Sequence, residues 1–85
     1  RELDLTDEDG GVYVSKIETD SIAQEAGLKR DDVIIEINKK RIGNTRDLKD
    51  IVSELESGMD IIFLVKRWEE ETREAINLYL ATTIP

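Results

Sequence analysis

The sequence predicts a mainly β member of the α+β class: five to six strands in a partly open antiparallel barrel or sandwich, capped by two helices. Three observations carry this expectation. Apolar residues alternate at period two in Val12 and Val14, in Val33, Ile35 and Ile37, and in Ile76, Leu78 and Leu80, which is strand periodicity. Two stretches read as helix, too few to cover both faces of a sheet. Short connections then give the order β-α-β-β(short)-α-β-β across a single domain spanning residues 1–85.

The first ten residues read as an incomplete strand and loop. Leu3 and Leu5 are apolar among acids, and Asp7 to Gly11 has the composition of a turn. A calcium loop fails on spacing, because counting from Asp4 puts Asp9 where the loop requires glycine. Val12 and Val14 alternate with Tyr13 and Ser15 as a half-buried strand. Ser21 and Gln24 then stand at capping-box spacing. Ala23 and Ala26 give that short helix a face that can approach a sheet closely, and Gly27 sits where a left-handed cap would end it. The strand through Val33, Ile35 and Ile37 follows.

Asn38 to Arg41 is expected as a basic turn, with Ile42 opening a short edge segment that Gly43 breaks. Asn44 or Thr45 caps a second helix running to about Glu56, on which Leu48, Ile51, Val52 and Leu55 form one apolar stripe. Ile61 to Val65 is continuously apolar and is expected to be covered on both faces. Arg67 to Glu71 turns the chain, with Trp68 in that turn, either as a contact surface or folded back over Arg67 or the sheet rim. Ile76 to Leu80 pairs back antiparallel, and residues 81–85 read as a tail.

Composition narrows the function. The 85 residues carry a net charge of −8, which repels nucleic-acid backbones and anionic membranes and favours neutral or cationic polypeptides. The absence of His and Cys removes imidazole bases, thiolate nucleophiles and the usual zinc ligands, so neither a cofactor nor a metal is expected. Serines at 15, 21, 53 and 57 stand in strand, cap, helix and turn settings with no base beside them in the pattern, so no catalytic residue is assigned. No apolar run approaches the ~20 residues of a membrane span, and no membrane insertion is expected. Lacking a basic-then-apolar leader, the sequence reads as a mature or excised segment.

The block Ala26-Gly27-Leu28-Lys29-Arg30-Asp31-Asp32-Val33-Ile34, with Gly11 to Val14 before it and Ile34 to Asn38 and the Asn44 helix after it, resembles the PDZ domain of bacterial HtrA/Deg (DegP-like) periplasmic serine proteases. The resemblance runs from about Gly11 to Leu80. It departs from the family pattern at Asp31, where glycine is usual, at Asn38-Lys39, where Asn-Gly is usual, and at Thr19 to Ala23, where Pro-Gly-Ser-Pro-Ala is usual.

The resemblance implies a PDZ-like fold and a protein-interaction module. Such a module binds polypeptide C-termini or unfolded segments by β-augmentation, as the regulatory or substrate-binding domain of an oligomeric serine protease of the bacterial periplasm or envelope. A scaffold domain of a non-protease envelope protein, such as a secretion-system component, or a domain of a processing or intramembrane protease is the alternative. By the same resemblance, the peptide-pairing strand would end at Arg1, Glu2 and Leu3, with the carboxylate-binding loop lying before it. The 44–56 helix would line the groove, with Leu48, Ile51 and Leu55 as pocket wall and Asp47 and Glu54 at its rim. The apolar stripe reads equally as ordinary core packing, and both readings stand at this point.

Overall fold

The computed structural model describes residues 3–8, as backbone, and residues 10–85. Its elements are β1 (Leu3–Glu8), β2 (Gly11–Ile17), α1 (Ile22–Ala26), β3 (Val33–Ile37), β4 (Lys40–Arg41), α2 (Thr45–Ser53), β5 (Asp60–Glu69) and β6 (Glu74–Thr83). The sheet runs β1-β2-β3-β5-β6, with β4 paired to β3 and every pairing antiparallel. It stays open, with β1 and β6 at its two ends. The mainly β class with two short helices is as expected.

Local chemistry explains the two helices. At α1 the Ser21 hydroxyl accepts from the Gln24 amide at 3.1 Å, and the Gln24 side chain accepts from the Asp20 amide at 2.7 Å. Gly27 closes the helix at φ 98°, a left-handed value that costs glycine nothing. Leu28 then donates to the Ala23 carbonyl at 3.1 Å, the wider ring of a Schellman turn. The buried Ala23 and Ala26 let this short helix sit close over β6. At α2 the Asn44 side chain accepts from the Asp47 amide at 2.9 Å, and the Asp47 carboxylate accepts from the Gly43 amide at 2.9 Å. Two otherwise orphaned donors are thereby satisfied.

The core lies on the helix-covered side of the sheet. Val12, Val14, Ile34, Ile37, Ile42 and Val65 are each fully buried. Among them sits one ion pair, Arg67 with Asp32 at 2.7 Å. Gly11 marks the tightest backbone approach: a methyl group there would stand 2.6 Å from the Ile34 carbonyl oxygen.

Several local expectations are corrected. Asp7 and Glu8 belong to β1, opposite Val12 and Gly11, because the reversal needs little chain when Gly10 adopts φ 84°. Lys40 and Arg41 form β4, and the turn before it is Asn38-Lys39 at φ 50° and 69°. Helix α2 ends at Ser53 with Glu54 as its cap, so Leu55 lies beyond it. β5 is covered on one face only: Ile61, Phe63 and Val65 are buried, while Ile62 is 40% exposed. Two short helices supply one layer of cover, so even a continuous apolar run must alternate. Trp68 lies within β5 opposite Ala75, not in the turn. Residues 81–83 belong to β6, held by pairing with Asp60, Ile61 and Ile62, so the expected tail is mostly strand.

Candidate functional site

The site expected from the sequence lies between the β1 end of the sheet and α2. Strand order makes β1 terminal, and among the described residues it pairs with β2 alone. Helix α2 packs against β1. A terminal strand presents a row of main-chain donors and acceptors along its outer side, a template for another extended chain.

Each expected residue takes a definite place. Arg1 and Glu2 lie outside the described residues, and Leu3 opens β1 opposite Ile17. Leu48 is 7% exposed and belongs to the core. Ile51 and Leu55 are half-buried and pack against that core. Asp47 is engaged at the helix N-terminus through Gly43, and Glu54 is the exposed cap residue. The α2 neighbourhood therefore gathers Asp47, Leu48, Ile51, Glu54 and Leu55, with the apolar ones turned in toward the core.

One residue is added by the structure. Val52 is the member of the α2 stripe that stays exposed, at 43%. Helical geometry sets it about 40° from Leu48 on one side and Ile51 about 60° away on the other. A stripe read at i, i+3, i+4 and i+7 treats these flanks as equal. Only the packing of the helix decides which flank is sealed.

A second concavity of about 630 Å³ lies at the hairpin end, lined by Tyr13, Asp31, Trp68 and Glu70 among others. Trp68 is 52% exposed there, and the Tyr13 hydroxyl donates to Asp31. Among the described residues no group of three or more His, Cys, Asp or Glu is placed to hold a metal ion, and no helix is long and apolar enough to cross a membrane.

An open antiparallel sheet with two short helices, its terminal strand beside α2, defines the class of fold. The chain belongs to the PDZ family, whose PDZ domain model matches residues 3–78. It is 43% identical over 58 residues to the probable periplasmic serine endoprotease DegP-like of Buchnera aphidicola subsp. Schizaphis graminum, covering 67% of this chain and 12% of that protein. It is also 29% identical over 68 residues to serine protease HTRA1 of Xenopus tropicalis, covering 80% of this chain and 14% of that one.

Among solved structures, the HtrA3 PDZ domain bound to the phage-derived ligand FGRWV superposes with a TM-score of 0.77 at 17% identity, covering 96% of this chain and 80% of that one. The HtrA-type protease AlgW with decapeptide gives 0.73 at 22% identity, covering 99% and 29%. The residues present form a PDZ domain of HtrA type, a peptide-binding module without catalytic function, and they span about an eighth of these curated relatives.

Proposed function

We propose that this domain captures extended polypeptide segments, C-termini above all, by adding them as a further antiparallel strand on the outer side of β1, against α2. The observation that carries this reading is the conjunction of a terminal strand with an adjacent helix that keeps Val52 exposed. Arg1, Glu2 and Leu3 supply the pairing edge. Val52, with the outer surfaces of Leu48, Ile51 and Leu55, supplies apolar contact, and Asp47 and Glu54 supply negative charge at the rim. Two structural neighbours, the HtrA3 PDZ domain bound to a phage-derived ligand and AlgW with decapeptide, support this role.

The expected affinity is modest. About four backbone hydrogen bonds at roughly 1 kcal/mol each and one pocketed side chain at about 1.5–3 kcal/mol must offset an association cost of at least ~4 kcal/mol. At most about 3 kcal/mol then survives, which corresponds to millimolar or looser binding. In its whole protein the domain would regulate or feed an HtrA/Deg-type serine endopeptidase of the cell envelope, a proposal resting on the DegP-like relative.

Titration with a peptide library synthesised with free and with amidated C-termini tests the reading. Saturable binding that weakens on amidation supports terminus capture. Binding indifferent to amidation points to internal segments, and no binding to either set overturns the proposal.

A further inference from the structure

The sheet has a second open end, four strands away from β1. Strand β6 is ten residues long, and among the described residues it pairs with β5 alone, without a bulge, from Asp60↔Thr83 to Glu69↔Glu74. Its interior contains none of the usual protections of an exposed edge: no lysine, no proline and no register shift. From Ala75 to Ala81 it carries no charge.

The core-facing side of β6 is also incompletely sealed. On β5, Ile61, Phe63 and Val65 are 3%, 6% and 0% exposed. Leu80 and Leu78, directly opposite Phe63 and Val65 and so on the same side, are only half-buried, as is Ile76. Burial drops within one strand because, among the described residues, no further strand lies beyond β6.

We infer that the outer edge of β6 pairs antiparallel with β6 of a second copy of this chain, joining the two sheets into one. The β6 sequence selects this occupant. Reflected about Leu78, it sets Ala75 against Ala81, Ile76 against Leu80, and Asn77 against Tyr79, small with small and branched aliphatic with branched aliphatic. An isologous twofold contact needs that self-complementarity. Glu74 falls opposite Thr82 and Arg73 opposite Thr83, so no like charges meet in the register. Residues next to Leu78 lie on the solvent face, where Tyr79 is 72% exposed and meets its symmetry mate's Asn77. The acidic β1 strands end up at the far ends of the joined sheet, which leaves both of their outer edges free.

The pairing is short and the chain's charge of −8 opposes it, so the dimer is weak and salt-promoted. Sedimentation velocity of the chain over a concentration series, at low and high salt, is the test. The expected result is a reversible dimer whose fraction rises with concentration and with salt.

Replacing Asn77→Lys together with Tyr79→Lys sets like charges opposite one another twice and should weaken association about tenfold or more. Both side chains are exposed, so the fold tolerates the change, and far-UV circular dichroism checks it. An equimolar mixture with the Asn77→Glu, Tyr79→Glu variant should restore dimers. A chain that stays monomeric at millimolar concentration in high salt, or a dimer indifferent to these substitutions, overturns the inference.

Discussion

Arg67 holds Asp32 with both arms of its guanidinium. Nε lies 2.8 Å from one carboxylate oxygen and a terminal nitrogen 2.7 Å from the other, and the same nitrogen donates to the Gly27 carbonyl at 2.9 Å. Asp32 also accepts from the Lys29 amide at 2.9 Å. One arginine thereby ties β5 to the turn after α1 and to the residue before β3. The hydrogen bonds that Arg67 donates to Asp32, set against desolvation, raise the Arg67 pKa above its ordinary value, with the charges of Asp32 and Glu69 adding to the rise. A raised folded pKa contributes stability that is fully present below the unfolded value and is lost only as pH climbs through the folded one. For an arginine that window is strongly alkaline, so the contribution of Arg67 is constant through neutral pH.

Arg67→Ala should therefore cost about 3 kcal/mol, because it leaves Asp32, 1% exposed, as a buried charge without its cation. Arg67→Lys should fall between the two, since an ammonium cannot form the two-armed contact. Urea denaturation at neutral pH measures both. A loss below about 1 kcal/mol for the alanine variant would refute the clamp.

Gly11→Ala should destabilise by about 2 kcal/mol or more, because its methyl would meet the Ile34 carbonyl oxygen at 2.6 Å and a Val33 methyl at 2.7 Å. The carbonyl belongs to a paired strand and cannot swing aside. Thermal unfolding of the variant checks this, and an unchanged midpoint would mean the β2–β3 spacing is looser than described.

Lys39→Gly should stabilise the chain by about 0.5–1 kcal/mol. Lys39 holds φ 69° in the Asn38-Lys39 turn, which burdens a residue with a Cβ more than glycine gains in unfolded-state entropy. The turn is otherwise well anchored, since the Asn38 side chain accepts from the Ile62 amide at 2.8 Å. A shift of the denaturation midpoint toward higher urea is the expected reading.

Val52→Asp and Leu48→Ala should separate recognition from packing. The first, on an exposed residue, should weaken peptide binding about tenfold or more while changing stability by less than about 0.5 kcal/mol. The second, in the core, should cost about 2–4 kcal/mol. If Val52→Asp binds peptides as tightly as the parent chain, the apolar contact lies elsewhere.

Peptides with Lys or Arg upstream of their terminus should bind better than Glu-bearing counterparts at low salt, given Asp47 and the exposed Glu54 beside the proposed groove. Fluorescence titration across a salt series should show the difference closing as salt rises. Equal affinities at low salt would remove charge from the recognition account.

Most of the element order was legible from local pattern, and the misreadings share a cause. Ile62 looked buried because a continuous apolar run gives no hint that one face lacks cover. A turn at Arg67 neglects the parity of Ile61, Phe63 and Val65, which extends to it and points it inward. That parity, with Asp32 standing just before a buried strand, was the signal available for the ion pair. Leu48 and Val52 were indistinguishable within one stripe, because periodicity defines a face and not which flank a neighbour seals.

The sequence by itself determined the local elements: the caps of α1 and α2, the glycine stop at Gly27, the strand periodicities and an acidic composition free of histidine and cysteine. Each depends on residues within about one helical turn or a few strand positions of each other, where sterics and near-neighbour hydrogen bonds decide. Only the tertiary structure decided that β1 and β6 end the sheet, that Arg67 closes on Asp32 across 35 residues of chain, and that Val52 stays outside the core. Those outcomes depend on which distant strands pair and in what register, a competition among long-range contacts that no local window contains.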